Sequence, residues 1–68
     1  MEMVLTMQQA RALSGKTMRE MACEMGVHEN TYRRYEKNPE TMTIKQARKF
    51  CDLLALKMSD VSFGVNAS

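Results

Sequence analysis

The sequence is poor in the residues from which most catalytic and metal sites are built. Among its 68 residues it has one histidine, two cysteines and three glycines. A single imidazole excludes a metal site made of several histidines and argues against a Ser-His-Asp set. Cys23 and Cys51 form no Cys-x-x-Cys pair, which argues against zinc and thioredoxin-type chemistry and favours reduced thiols, as in a cytoplasmic protein. The glycines form no phosphate-binding loop. From these absences together we expect no enzyme activity, no metal and no cofactor.

Long apolar runs and aromatic side chains are also scarce. The sequence has no stretch of about 18 apolar residues, and its N-terminus lacks the basic region and apolar stretch of a signal peptide, so no membrane segment is expected. Aromatic residues make up 6% of the chain against eight methionines, which predicts a core filled largely by methionine. The net charge of +2 is compatible with a nucleic-acid partner without requiring one.

Capping signatures divide the chain into short helices. A threonine followed three residues later by glutamine or glutamate fits the capping box, and this spacing begins at Thr6, Thr17 and Thr43. Residues suited to the left-handed conformation that ends a helix are Gly15, Gly26 and Asn38. Together these signals predict no strand and five helices, at 6–14, 17–25, 28–37, 43–55 and 58–63.

The five helices are expected to form one compact all-α domain, residues 1–68, with a core over about 6–63 and a frayed tail over 64–68. Each of the three central helices has one apolar stripe at helical spacing. With the turn residue between the first two, these stripes comprise Met18, Met21, Ala22, Met25, Val27, Thr31, Tyr32, Tyr35, Ile44, Ala47, Phe50, Cys51 and Leu54.

The most specific signal lies in helices 17–25 and 28–37. Gly26 ends the first helix, Ala22 permits close approach of the second, and Val27 fills the turn between them. The polar residues left on the outer face of the second helix are His28, Glu29, Asn30, Arg33, Arg34 and Lys37. One helix that holds and one that presents polar side chains is the arrangement of a helix-turn-helix.

At this point the chain resembles the phage-repressor and Cro-like helix-turn-helix family, also described as lambda-repressor-like domains. The family pattern runs without gaps over about residues 7–62, through Ala10-Arg11, Gly15, Thr17, Met21-Ala22, Gly26-Val27, Thr31-Tyr32, Tyr35-Glu36, Asn38, Thr43-Ile44, Leu54-Ala55-Leu56 and Val61. The resemblance implies a five-helix domain whose second and third helices form the helix-turn-helix. Four positions depart from the pattern: Lys16 is expected to loosen its corner, Met18 replaces a backbone-contacting glutamine, His28 is a weak cap, and Asn38 replaces a glycine.

The resemblance also implies which residues contact DNA. Base contacts fall at Glu29, Asn30 and Arg34, whose side chains can pair with cytosine, adenine and guanine respectively. The candidates for phosphate contacts are Arg11, Thr17, Arg33, Lys37, Thr41, Thr43 and Lys45. For each cation the alternative is an ordinary solvated surface charge.

Two further contacts are expected within and between subunits. In the family, the arginine at the position of Arg11 meets the glutamate at the position of Glu36, so we expect an ion pair between these two residues. A two-fold dimer on an inverted-repeat operator is expected because one recognition helix reads too few bases to define a site. The interface candidates are Leu56, Met58, Val61 and Phe63; for Leu56 and Val61 the alternative is that they close the core.

These observations predict a sequence-specific regulator that binds double-stranded DNA, a repressor or Cro-like switch of phage or bacterial origin. One alternative is the antitoxin of a toxin–antitoxin pair, which would co-purify with a toxin. Another is a protein-binding adaptor on the same scaffold, which would show no salt-dependent DNA binding. A Cro form with a sheet-rich second half is disfavoured because residues 43–62 have a helical pattern.

Overall fold

The computed structural model describes residues 4–63, and within them the protein is mostly helical. Four α-helices follow one another in the chain: α1 (Met7–Ser14), α2 (Met18–Met25), α3 (Glu29–Lys37) and α4 (Ile44–Leu53). Two 3-10 turns lie at Pro39–Thr41 and Met58–Asp60, and two short strands at β1 (Leu5–Thr6) and β2 (Val61–Ser62). The tail expected at 64–68 lies outside the described residues.

The fifth predicted helix is wrong, and so is the expectation that the chain has no strand. Residues 58–60 form a 3-10 turn, after which β2 pairs in parallel with β1, Leu5 opposite Val61 and Thr6 opposite Ser62. A six-residue helix gains too few hydrogen bonds to offset its nucleation cost. Extended backbone at β2 instead finds partners on β1 and turns Val61 into the core. The two ends of the described chain are thereby joined.

Two of the three predicted capping boxes are confirmed. The hydroxyls of Thr6 and Thr17 accept hydrogen bonds from the amides three residues on, and the side chains at those later positions accept from the threonine amides. At Thr43 the hydroxyl accepts from the Gln46 amide, but the side chain of Gln46 does not accept a hydrogen bond from the Thr43 amide. Its Oε1 atom is buried without a hydrogen-bond partner, so the third box is half formed.

The helix ends follow the sequence at the glycines and depart from it elsewhere. Gly15 and Gly26 are left-handed, with φ of 76° and 73°, as predicted. Asn38 is not left-handed, since its φ is −134° and its ψ is 77°. The reason is Pro39, whose ring clashes with the preceding residue and moves it to more extended backbone. Helix α3 therefore ends because proline stops it, without a left-handed cap.

Helix α4 ends two residues before the predicted limit, and a non-glycine residue takes the left-handed conformation there. Ala55 has a φ of 57°. The amides of Ala55 and Leu56 donate to the carbonyls of Asp52 and Cys51, at 3.2 and 2.9 Å, which satisfies two carbonyls of the last turn. This reversal directs the chain back towards β1.

The core is a single cluster that joins all four helices and β2. Its buried residues are Met7, Ala10, Met21, Ala22, Met25, Tyr32, Tyr35, Phe50, Cys51 and Val61, and Ala47 of α4 is also buried. The ring of Phe50 stacks on Tyr32 and meets Phe63 edge to face, with centroids 6.4 and 6.1 Å apart. Ile44 was expected inside but is 70% exposed, in the first turn of α4. Thr31 and Leu54 lie half-buried at the margin.

None of the helices in residues 4–63 has the length and apolarity that crossing a membrane requires.

The left-handed Ala55 predicts that Ala55→Gly stabilises the protein. A Cβ atom at this φ destabilises the folded state by about 1–2 kcal/mol, and glycine removes that strain. Glycine also gives the unfolded chain more conformational freedom, which offsets part of the gain. We expect the free energy of unfolding to rise by about 0.5–1 kcal/mol, measured by urea denaturation.

The matched control is Ala12→Gly, at an exposed position inside α1, which should lower the free energy of unfolding by about 1 kcal/mol. Equal destabilisation by both variants would contradict the left-handed assignment.

Candidate nucleic-acid interface

Helices α2 and α3 are joined by the three-residue turn 26–28 and pack directly on each other. Ala22 is buried where the two helices meet, as its small size predicted. The amide of Val27 donates to the Ala22 carbonyl at 3.0 Å, and the Val27 side chain packs against the core. The turn is thus held by both backbone and side chain, which fixes the direction in which α3 leaves it.

Helix α3 has two chemically distinct faces. Tyr32 and Tyr35 are buried, while Asn30, Arg33, Arg34 and Lys37 are exposed and Glu29 is partly exposed. Residues 29, 33 and 37 follow one stripe along the helix, and residues 30 and 34 follow the neighbouring stripe. The outer face therefore presents two adjoining rows of hydrogen-bonding and charged groups.

Helix α3 begins without a side-chain cap. His28 occupies the cap position and makes no capping hydrogen bond, in agreement with its weak capping ability. Glu29 places a carboxylate in the first turn, which the positive end of the helix dipole favours.

The outer-face side chains differ in what holds them. The guanidinium carbon of Arg34 lies 6.0 Å from the centre of the Tyr35 ring, a distance at which cation and ring attract each other. One Nη atom of Arg33 donates to Glu29 Oε2 at 2.9 Å, one helical turn away. Among the base-contact candidates, the side chains of Asn30 and Arg34 make no hydrogen bond within residues 4–63, whereas Glu29 accepts one from Arg33.

Arg11 and Glu36 are brought together by the fold. Nε of Arg11 donates to Oε2 of Glu36 at 2.5 Å, and an Nη atom approaches Oε1 at 3.4 Å. The hydroxyl of Tyr32 donates to Oε2 of Glu36 at 2.6 Å, and the second Nη of Arg11 donates to the Lys16 carbonyl at 3.0 Å. The two charged side chains are only 14% and 6% exposed. The Glu36 carboxylate therefore links α3 to α1, and Arg11 in turn links both to the turn before α2.

This cluster also shifts ionisation. The hydrogen bond to Glu36 raises the pKa of Arg11 above its ordinary value. Burial, and then the hydrogen bond to Glu36, raises the pKa of the Tyr32 hydroxyl. The ordinary pKa values of both groups already lie far above neutral pH, and these shifts move them further from it, so both residues keep their protons there. Arg11 retains one further hydrogen on each Nη for a phosphate, although little of its side chain reaches the surface.

The turn at Lys16 is held by hydrogen bonds and an ion pair, although the sequence predicts loose packing there. Nζ of Lys16 donates to both carboxylate oxygens of Glu24, at 2.8 and 3.1 Å, and the Lys16 carbonyl accepts from Arg11. The sequence gives no local signal of this ion pair, because the two residues are eight apart and in different elements. The long lysine stem brings its charge to α2 in place of an apolar contact.

The three threonines proposed at phosphates are in different states. The hydroxyls of Thr17 and Thr43 accept hydrogen bonds as helix caps and keep their own hydrogens free to donate. Thr41 donates both its hydroxyl and its amide to the Asn38 carbonyl, at 2.8 and 3.0 Å. Both of its donors are used within the protein, so a phosphate contact from Thr41 would require one of these two hydrogen bonds to open.

Helix α4 carries two exposed cations in addition to the predicted phosphate contact at Lys45. Lys45 is exposed in the first turn, and Arg48 and Lys49 are exposed one turn later. Their spacing of three and four residues is the signal that could have identified them.

The interface candidates are divided between the core and two surface grooves. Val61 is 5% exposed and belongs to the core, so its side chain is not available to a second subunit. Met58 and Phe63 line one groove together with Met42 and Ile44. Leu56 lines another, whose other residues include Leu5, Leu13 and Leu54.

Within residues 4–63, no group of three or more histidine, cysteine, aspartate or glutamate residues is arranged to hold a metal ion. Cys23 is exposed and Cys51 is buried, and both are free thiols. Burial raises the pKa of the Cys51 thiol, whose Sγ lies 3.7 Å from the Lys57 carbonyl oxygen. These positions suit packing for Cys51 and assign no chemistry to Cys23.

A family model described as helix-turn-helix matches residues 7–61, from the start of α1 to the start of β2. Comparison with curated proteins and with solved structures gives no significant match. The family match supports DNA binding of the transcription-regulator type.

The shielded geometry of Arg11 and Glu36 predicts strong energetic coupling. Arg11→Met and Glu36→Leu should each lower the free energy of unfolding by about 2–3 kcal/mol, because each leaves a poorly solvated charge without its partner. The double variant should lose less than the sum of the two, by about 2 kcal/mol, as measured in a double-mutant cycle by urea unfolding.

Lys16→Met and Glu24→Leu provide a matched control, since that pair is more exposed and its coupling should stay below about 1 kcal/mol. Additive effects at Arg11 and Glu36, within about 0.5 kcal/mol, would show that the pair does not form.

Proposed function

The chain belongs to the Cro/C1-type helix-turn-helix family, and we propose that it is a sequence-specific regulator that binds duplex DNA through α3 in the major groove. In this proposal α2 and α3 form the helix-turn-helix. The observation that carries it is the division of α3 into a buried tyrosine face and an outer face of Asn30, Arg34 and neighbouring charges. A helix held in this way can enter a groove without disturbing the core.

Base recognition is assigned to three side chains on the outer face. Arg34 can donate two hydrogen bonds to O6 and N7 of guanine, and Asn30 can pair with N6 and N7 of adenine. Glu29 can accept from N4 of cytosine. Asn30 and Arg34 are four residues apart, so they follow one row along the groove.

Phosphate contacts are assigned to groups on both sides of this row. Lys37 at the end of α3 and Lys45 at the start of α4 are exposed cations assigned to phosphates. Arg33 and the remaining hydrogens of Arg11 are assigned to phosphates as well. The hydroxyls of Thr17 and Thr43 lie at helix N-termini, where backbone amides and the helix dipole also favour anions. These contacts would fix the register without reading sequence.

Repression is the action we assign, because a protein that occupies an operator can block a promoter by its presence alone. A repressor or Cro-like switch acting in the cytoplasm of a bacterium, with a phage or bacterial origin, fits the family and the site.

The proposal predicts different consequences for Arg34 and Lys45. Arg34→Ala should cost about 1–3 kcal/mol of binding free energy on the preferred site and relax the preference at one base position. Lys45→Ala should weaken binding to all sequences alike and reduce the salt slope by about 0.9. Selection from random duplexes, followed by titration at several salt concentrations, measures both effects.

Wild-type affinity that does not change with salt would contradict DNA binding and favour a protein-binding adaptor. Identical selected sites for the two variants would contradict the assignment of Arg34 to a base.

We also propose a two-fold dimer on an inverted-repeat operator, formed through the groove of Met42, Ile44, Met58 and Phe63. Ile44 supports this choice, since a large aliphatic side chain that is 70% exposed beside an apolar groove gains from being covered. Met58 and Phe63 supply apolar surface at the same groove.

Ile44→Gln should convert the two-to-one complex on the operator to a one-to-one complex while binding to a single half-site is retained. Leu13→Gln is the matched control, because Leu13 is equally exposed but lies at the other groove. The mass of the DNA complex in solution measures the stoichiometry. A one-to-one wild-type complex, or loss of the dimer with Leu13→Gln alone, would contradict this interface.

A further inference from the structure

We propose that Glu29 sets the specificity of α3 by holding Arg33 away from DNA phosphates until the correct base is present, an inference that rests on the proposed DNA binding. The observation is the ion pair between one Nη of Arg33 and Oε2 of Glu29, at 2.9 Å. Both side chains are about half exposed, at 57% and 42%, so the pair lies on the outer face and not in the core.

Arg33 differs in this respect from the other cations of α3. Among residues 4–63, neither Arg34 nor Lys37 forms an ion pair. The outer face therefore offers two unpaired cations and one that a carboxylate already neutralises. A phosphate that recruits Arg33 must first take it from Glu29.

The pair can be opened by DNA because it is solvent-exposed and spans a single helical turn, where such pairs are weak. Opening it leaves the Glu29 carboxylate without a partner close to a polyanion. The balance therefore depends on what Glu29 meets in the groove.

Base identity decides that balance. The N4 amino group of cytosine donates to a carboxylate and can replace Arg33 as its partner. The O6 and N7 atoms of guanine and the O4 atom of thymine are acceptors, which repel the carboxylate, and adenine presents its N6 donor beside the acceptor N7. A cytosine at this position thus satisfies Glu29 and frees Arg33 for a phosphate, whereas guanine or thymine leaves the original pair closed or a charge unpaired.

Glu29 suits this role because other acidic side chains are engaged elsewhere. Glu36 is held by Arg11 and Tyr32, Glu24 is held by Lys16, and Glu20 caps the start of α2. Glu29 is the acid that α3 carries on its outer face beside the base-contact candidates.

The test is Glu29→Gln, which removes the charge and keeps the size of the side chain. Binding is measured on the selected operator and on a scrambled duplex of equal length, over a range of salt concentrations. On the scrambled duplex we expect affinity to rise about fivefold and the salt slope to steepen by about 0.9, because Arg33 becomes free to bind one more phosphate. The ratio of operator to scrambled affinity should fall about tenfold.

Asp52→Asn is the control for net charge. Asp52 is an exposed acid near the end of α4, so its neutralisation changes the total charge equally and should move both affinities together. On the scrambled duplex, adding Arg33→Gln to Glu29→Gln should return the salt slope to the wild-type value. Thermal unfolding of each variant confirms that the fold is retained.

The outcomes separate this inference from the function on which it rests. If the wild type discriminates between the duplexes and Glu29→Gln behaves like Asp52→Asn, the role of Glu29 is overturned while DNA binding stands. If wild-type binding is absent or insensitive to salt, the proposed function fails, and this inference fails with it.

Discussion

The rest of the structure depends on the carboxylate of Glu36. Three donors converge on it, two from the guanidinium of Arg11 and one from the hydroxyl of Tyr32, and Arg11 extends the network to the Lys16 carbonyl. Removing two charges from water is costly, and the cost is offset only when geometry and hydrogen bonds are good. The network holds α1, α3 and the turn before α2 in one relative orientation.

That orientation separates the tasks of α3. Its inner face, with Tyr32 and Tyr35, packs into the core, and the stacking of Tyr32 on Phe50 ties it to α4. Its outer face carries charges that make no contribution to the core. Substitution at exposed positions such as Asn30 and Arg34 can therefore change the chemistry of this face without loss of the fold.

Closure of the chain ends matters in a domain of this size. A chain of 68 residues buries a smaller share of its surface than a larger domain, so each core residue counts. The two-residue pairing of β1 with β2 delivers Val61 to the core and brings Phe63 against Phe50. Methionines from α1 and α2 fill much of the remaining space, as the composition indicated.

The sequence by itself determined the helices and many of their ends. The hydroxyl caps at Thr6 and Thr17 and the left-handed Gly15 and Gly26 were predictable because capping chemistry acts within a few residues. The polar face of α3 was predictable for the same reason, since helical spacing alone separates it from the tyrosines.

Tertiary structure decided what depends on residues distant in the chain. The pairing of β1 with β2, the exposure of Ile44 and the tie between Lys16 and Glu24 have no local signature, because each requires knowing which elements folding brings together. The left-handed Ala55 belongs with them. Alanine does not favour this conformation, so the return of the chain to β1 imposes it.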